Sequence, residues 1–198
     1  MVRTLYLLGA AYVGICGVVL LAHPSRRSVA DPPPAPPRPV HATPSSTGSA
    51  AEWFQAVKPY CNAVEAGTVL PRTPPPSGTE GAGYLAACYA LAGKITEARQ
   101  TIDGLPQGDR PSAANIVFNV GHPVADAGDD RSAGPIMELV LEYWPSNYMA
   151  VYHAGMSEFA LGQNDAAQKH LRSFLEMYHE NDGWRESAIN TLAKIDGR

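Results

Sequence analysis

The sequence predicts an all-α fold built from stacked helical hairpins, and three observations predict it. The first is a period. Gly121 recurs as Gly155, Gly128 as Gly162 and Ala133 as Ala167, each a step of 34 residues (155 − 121, 162 − 128, 167 − 133). A fixed period of this size marks a helical solenoid, in which one helix pair cannot bury its apolar face alone and stacks on the next. The second is a fainter copy upstream, in Tyr84, Tyr89, Gly93, Ala98 and Ile102, offset by 35 residues (128 − 93, 133 − 98). The third is helical spacing of apolar residues between the glycines, as in Ile136, Leu139, Val140 and Tyr143.

Composition limits what such a stack can do. With 198 residues, 45% of them hydrophobic, the chain can carry one domain of ordinary size plus appendages. Residues 1–30 hold Arg3, Arg26 and Arg27 and no acid, so the remainder carries 12 basic against 19 acidic residues, a formal charge of −7. That surface repels phosphate backbones and has no basic stripe, which argues against a nucleic-acid partner. The three cysteines, Cys16, Cys61 and Cys88, are too few and scattered for a zinc site or a disulfide scaffold.

Residues 1–30 read as a signal anchor or a cleaved signal peptide. Thr4 to Ala22 is 19 residues without a charge, long enough to cross most of a bilayer's hydrocarbon core and longer than an ordinary signal-peptide core. That length favours retention as a transmembrane helix. Ile15 occupies a slot that resembles the small-residue position of a lipoprotein signal, and Cys16 sits in the middle of the apolar run, so Cys16 is not read as a lipidation site. Arg3 and the Arg26-Arg27 pair pull the orientation opposite ways, and the short basic start favours export of the remainder. In an oxidising compartment Cys61 and Cys88 could pair; the reading favoured here keeps both as small buried residues at helix contacts.

Residues 31–48 form a proline-rich linker, with seven prolines between Asp31 and Ser49 and almost nothing apolar, a semi-rigid spacer. Residues 49–78 supply an N-terminal packing helix and a loop. Ser49 and Glu52 make a capping box, and Trp53, Val57, Tyr60 and Val64 share one face of a helix that Pro59 kinks and Gly67 ends.

Residues 79–181 hold three repeats. The first places Tyr84, Ala87, Cys88 and Leu91 on a helix, turns at Gly93 and restarts with Thr96 as cap. The second opens at Ser112, carries Ile116, Val117, Val120 and Val124, and has Pro123 inside, which predicts a bent or shortened helix. Asp129 and Asp130 then supply a negative helix start, with Pro135 in the first turns, and Trp144-Pro145 ends that helix. The third runs from Asn147 to Leu161, turns at Gly162, and resumes from Asn164 with Ala167, Leu171, Phe174 and Leu175 inward. Residues 182–198 make a capping helix that starts at Asp182 and turns Trp184, Ala188, Leu192 and Ile195 inward.

These glycines, small residues and helix pairs resemble the tetratricopeptide repeat family. The resemblance implies an interaction module that grips a partner on the concave face made by the first helix of each pair. The corresponding residues are Asn115, Phe118, His122 and Asp126 in the second repeat, and Met149, Tyr152, Met156 and Phe159 in the third. Flexible methionines and aromatics there suit an apolar peptide or amphipathic helix. Gly83 and Ala87 occupy the comparable sites of the first repeat, so the carboxylate clamp of the family's best-known peptide binders is absent.

The function expected is thus a membrane-tethered adaptor for other proteins or peptides, on the exported side, with no cofactor, metal or catalytic role. The alternative is an exported binding protein for a small apolar ligand, its groove closed by the Trp53 helix. An enzyme reading would rest on His122 and Asp126, four apart on one helix, but two ligands are not a site. His153, His170 and His179 add nothing specific to it, and there is no P-loop, dinucleotide fingerprint, nucleophile elbow or H-E-x-x-H.

Overall fold

The fold begins at a capping box: the Glu52 N–H donates to Ser49 Oγ at 3.2 Å and the Ser49 N–H to Glu52 Oε2 at 2.8 Å, starting α1 (Ala50–Val57). The computed structural model describes residues 48–197. The chain divides into two units, residues 1–41 and 42–198, and every described residue lies in the second. The anchor or signal predicted over residues 1–30 and nearly all of the linker lie outside the described residues. Among those described, no helix is long and apolar enough to cross a membrane.

After α1 come a short α2 (Ala66–Val69), then α3 (Thr79–Leu91), α4 (Ile95–Asp103), α5 (Arg110–Asp126), α6 (Asp130–Tyr143), α7 (Tyr148–Ala160), α8 (Asn164–Met177) and α9 (Gly183–Asp196). The described residues contain no strand, so the class is all-α. Three of the connections have one geometry. At the end of α3 the Gly93 N–H donates to the Ala90 carbonyl and the Lys94 N–H to that of Tyr89. Gly128 to Ala125 with Asp129 to Val124, and Gly162 to Phe159 with Gln163 to Glu158, repeat it after α5 and α7. This paired arrangement closes a helix through a residue in the left-handed region, and φ is 71°, 84° and 77° at the three glycines.

Two of the hairpins close on themselves where a side chain is missing. A Cβ on Gly121 of α5 would stand 2.7 Å from Ile136 Cγ2 of α6, and one on Gly155 of α7 would stand 2.9 Å from Leu171 Cγ of α8. Ala86 takes the matching place in α3 and is fully buried. One core cluster, rich in alanine, joins α3 through α7 around Ile102, Val117, Met137, Leu139 and Val140. A second gathers Trp53, Phe54, Val57 and Leu70 against α3, with the Trp53 indole donating to the Thr73 carbonyl at 3.0 Å. A third packs α7, α8 and α9 through Val151, Tyr152, Leu171, Phe174 and Ala188.

Several expectations are corrected. Val64, predicted on the buried face of the first helix, is 82% exposed. Without an N–H at Pro59 the helix stops at Val57 and passes into a 3-10 turn, Lys58–Tyr60, so Val64 lies beyond it. Gly67 ends nothing; it lies within α2. Pro123 does not shorten its helix, since α5 runs 17 residues with the proline inside, against 13 for α3 and α7. Pro135, expected in the first turns of its helix, is the sixth residue of α6. The caps are Lys94, Asp109 and Gln163, where Thr96, Ser112 and Asn164 were predicted. Cys61 and Cys88, read as unpaired packing residues, are buried and joined in a disulfide across a separation of 27 residues.

Candidate functional site

The predicted face is divided between two environments. In the third hairpin Tyr152 is 4% exposed, its ring meets Phe174 at 5.0 Å and Trp184 at 5.3 Å, and its hydroxyl donates to Ser187 Oγ at 3.0 Å. Burial raises that phenol above its ordinary pKa. Met149 and Met156 pack into the same cluster, and Thr191 Oγ1 lies 3.7 Å from Met156 Sδ. Phe159 is half-buried. α9 therefore lies over Tyr152 and Met156.

In the second hairpin Asn115 is exposed and accepts from Asn119 Nδ2 at 3.0 Å. Phe118 stacks on His122 at 4.8 Å and meets the edge of Trp144 at 6.2 Å. These residues share one side of α5. A different side, carrying Ile116, Asn119, Val120, Pro123 and Val124, lines a cavity of ≈ 660 Å³ whose other walls are α1 and α3. Phe54 of α1 stacks on Tyr84 of α3 at 5.0 Å and both line it, with Leu91. Gln55, Lys58, Asn119 and Asp129 add polar groups to the lining.

Beyond Phe118 the structure brings together groups that the sequence keeps apart. His122 Nε2 lies 3.4 Å from Asp126 Oδ1, one turn on in α5. His153, in the middle of α7, places Nε2 3.7 Å from the same Asp126 oxygen and Nδ1 3.7 Å from Asp130 Oδ1 at the start of α6. The two imidazole rings meet edge-on at 5.0 Å, and the Trp184 ring meets that of His153 edge-on at 5.6 Å. Burial lowers the His122 pKa, opposed by the Asp126 charge, and His153 adds to the lowering.

His153 adds nothing specific in the sequence because no spacing connects it to its neighbours. It lies 31 residues after His122 (153 − 122) and its counterpart one repeat earlier is Asn119. Docking of α7 on α6 creates the cluster. His170, by contrast, pairs with the buried Glu158 at 2.8 Å, and His179 is exposed. No protein-family model, curated protein or solved structure matches the chain.

Proposed function

We propose that this chain is an interaction module, similar to a tetratricopeptide repeat protein in its hairpin solenoid, which holds an apolar peptide or amphipathic helix in the groove walled by α1, α3 and α5. The observation that carries the reading is the groove itself: ≈ 660 Å³, lined by Phe54, Tyr84, Leu91, Ile116, Val120 and Val124, with four polar side chains among them. That is the size and chemistry of a binding cleft. With α9 covering Tyr152 and Met156, the groove moves from the third hairpin toward the first two. The anchor and spacer expected in residues 1–48 would hold the module at a membrane. A disulfide between Cys61 and Cys88 supports an oxidising, exported setting for it.

The volume also suits a small apolar ligand, and one experiment separates the two. A photo-crosslinking residue at Val124 of the full chain is expected to capture peptide, and Val120→Glu, which puts a charge in the groove, to abolish capture. A small-ligand protein would instead take up an environment-sensitive apolar dye stoichiometrically, with competition by lipid extract and no peptide adduct. Capture from Val124 that Val120→Glu leaves unchanged would remove the groove reading.

A further inference from the structure

His153 is buried at the junction of α5, α6 and α7. Its side chain is 2% exposed, and neither ring nitrogen has a hydrogen-bond partner among the described residues. Buried polar groups are almost always satisfied, so an imidazole with both nitrogens unmatched calls for another atom between it and its neighbours. Those neighbours are carboxylates, one on each side at 3.7 Å, beyond hydrogen-bond length. His122 Nε2 is likewise buried and unmatched.

We infer that His122, Asp126 and His153 bind a single divalent transition-metal ion, with Asp130 fixing the outer nitrogen of His153. One donor atom from each of the three lies within 4.8 Å of the others. Donors around a tetrahedral ion at the usual bond lengths stand roughly 3.4 Å apart, which the 3.4 Å and 3.7 Å separations at Asp126 already approach. A turn of the His122 ring, at the rim with a quarter of its side chain exposed, closes the remaining gap.

The donors decide the class of ion. Two imidazoles and one carboxylate suit zinc, cobalt, iron or nickel, whereas calcium and magnesium prefer all-oxygen shells. Asp130 stands 3.7 Å from His153 Nδ1, and a small inward movement on metal binding would make it the carboxylate partner that orients the imidazole. The site also lies at the last turn of α5, where the partial negative charge of a helix end favours a cation. Three protein donors leave an open coordination position, on the Asp126 side where the carboxylate is 43% exposed. An ion here would tie α5, α6 and α7 together. The cluster uses a different side of α5 from the groove, so this inference stands or falls separately from the peptide reading.

The test uses the full chain without an affinity tag, stripped with chelator and titrated with Zn²⁺ by calorimetry and with Co²⁺ by visible absorption. Expected are one ion per chain, cobalt bands of a low-coordinate nitrogen–oxygen site, and a melting temperature that rises with Zn²⁺. His122→Asn and Asp126→Asn, both at the rim and therefore tolerated by the fold, should each weaken binding by at least about 100-fold. Asp130→Asn should weaken it by about 10- to 100-fold at unchanged stoichiometry, as an outer partner does. His179→Ala, remote and exposed, should change nothing. Zn²⁺ affinity in His122→Asn and Asp126→Asn equal to that of the parent, or loss of binding in His179→Ala alone, would overturn the assignment.

Discussion

At the scale of single residues, the contact at Gly121 sets two known effects against each other. Replacing glycine by alanine inside a helix gains about 0.5–1 kcal/mol of backbone entropy. The new methyl would meet Ile136 Cγ2 at 2.7 Å, on a β-branched side chain that strongly prefers one rotamer in a helix. Overpacking of this kind costs about 1–3 kcal/mol, so Gly121→Ala is expected to lose stability in urea unfolding. Gly183→Ala, where an added Cβ meets nothing within 4 Å, should not. The half-buried His170, paired with the buried Glu158, makes a second test at this scale. One repeat earlier the same two places hold Val124 and Ile136 (158 − 34, 170 − 34), so the scaffold accepts an apolar pair there. His170→Ala alone leaves a carboxylate that is 8% exposed without its hydrogen-bond partner and should cost about 1–3 kcal/mol. Glu158→Val with His170→Ile should recover most of that loss, and a double-mutant cycle from urea titrations measures the coupling.

Among elements, what the sequence could reveal depended on whether the requirement was local. The three turn glycines were legible because a left-handed residue closing a helix admits little else. Ser49, Asn147 and Asp182 were legible as caps because each follows a loop and bonds its own first turn. Thr96 and Asn164 misled for a physical reason. In the three-residue turns the residue that completes the closing pair of hydrogen bonds, Lys94 or Gln163, is already the cap of the next helix. Its identity is set by the turn, and the polar residue that follows falls inside the first helical turn. The cover that α9 lays on Tyr152 was illegible, because the same apolar stripe serves an open groove and a packed interface equally. That cover carries a pH dependence. Asp182 caps α9 through the N–H groups of Trp184 and Arg185 and accepts from the Tyr178 hydroxyl. The Tyr178 bond first, then those backbone bonds, hold its pKa below the ordinary carboxylate value. A depressed folded pKa contributes stability that is full above the unfolded value, about pH 4, and disappears as pH falls through the lower folded one. Asp182→Asn should therefore be less stable than the parent at neutral pH, and the difference should shrink below about pH 4. Thermal melts across that range would show it, and a gap independent of pH would place the contribution elsewhere.

For the whole molecule, the Cys61–Cys88 bond decides how firmly the first wall of the groove is held. α1 has only eight residues and reaches the hairpins through Trp53, Phe54 and Val57, so its position depends on a small buried area and this bond. Closing a loop of about 27 residues removes unfolded-chain entropy worth about 3.5 kcal/mol in the chain-entropy treatment. For a folded unit of this size that corresponds to a fall in melting temperature of roughly 7–14 °C when the bond is absent. Cys61→Ser with Cys88→Ser should show that fall, and so should reduction of the parent. The bond's effect on the groove is separable from its effect on stability. At a temperature well below both transitions, an unfolded-state entropy term leaves the folded groove unchanged, and capture at Val124 should persist in the double variant. Loss of capture there, with the far-ultraviolet circular dichroism intact, would mean that the bond also holds Phe54 against Tyr84 in the folded state. The cysteine pairing would then set the width of the groove, and reduction would act on binding before it acts on the fold.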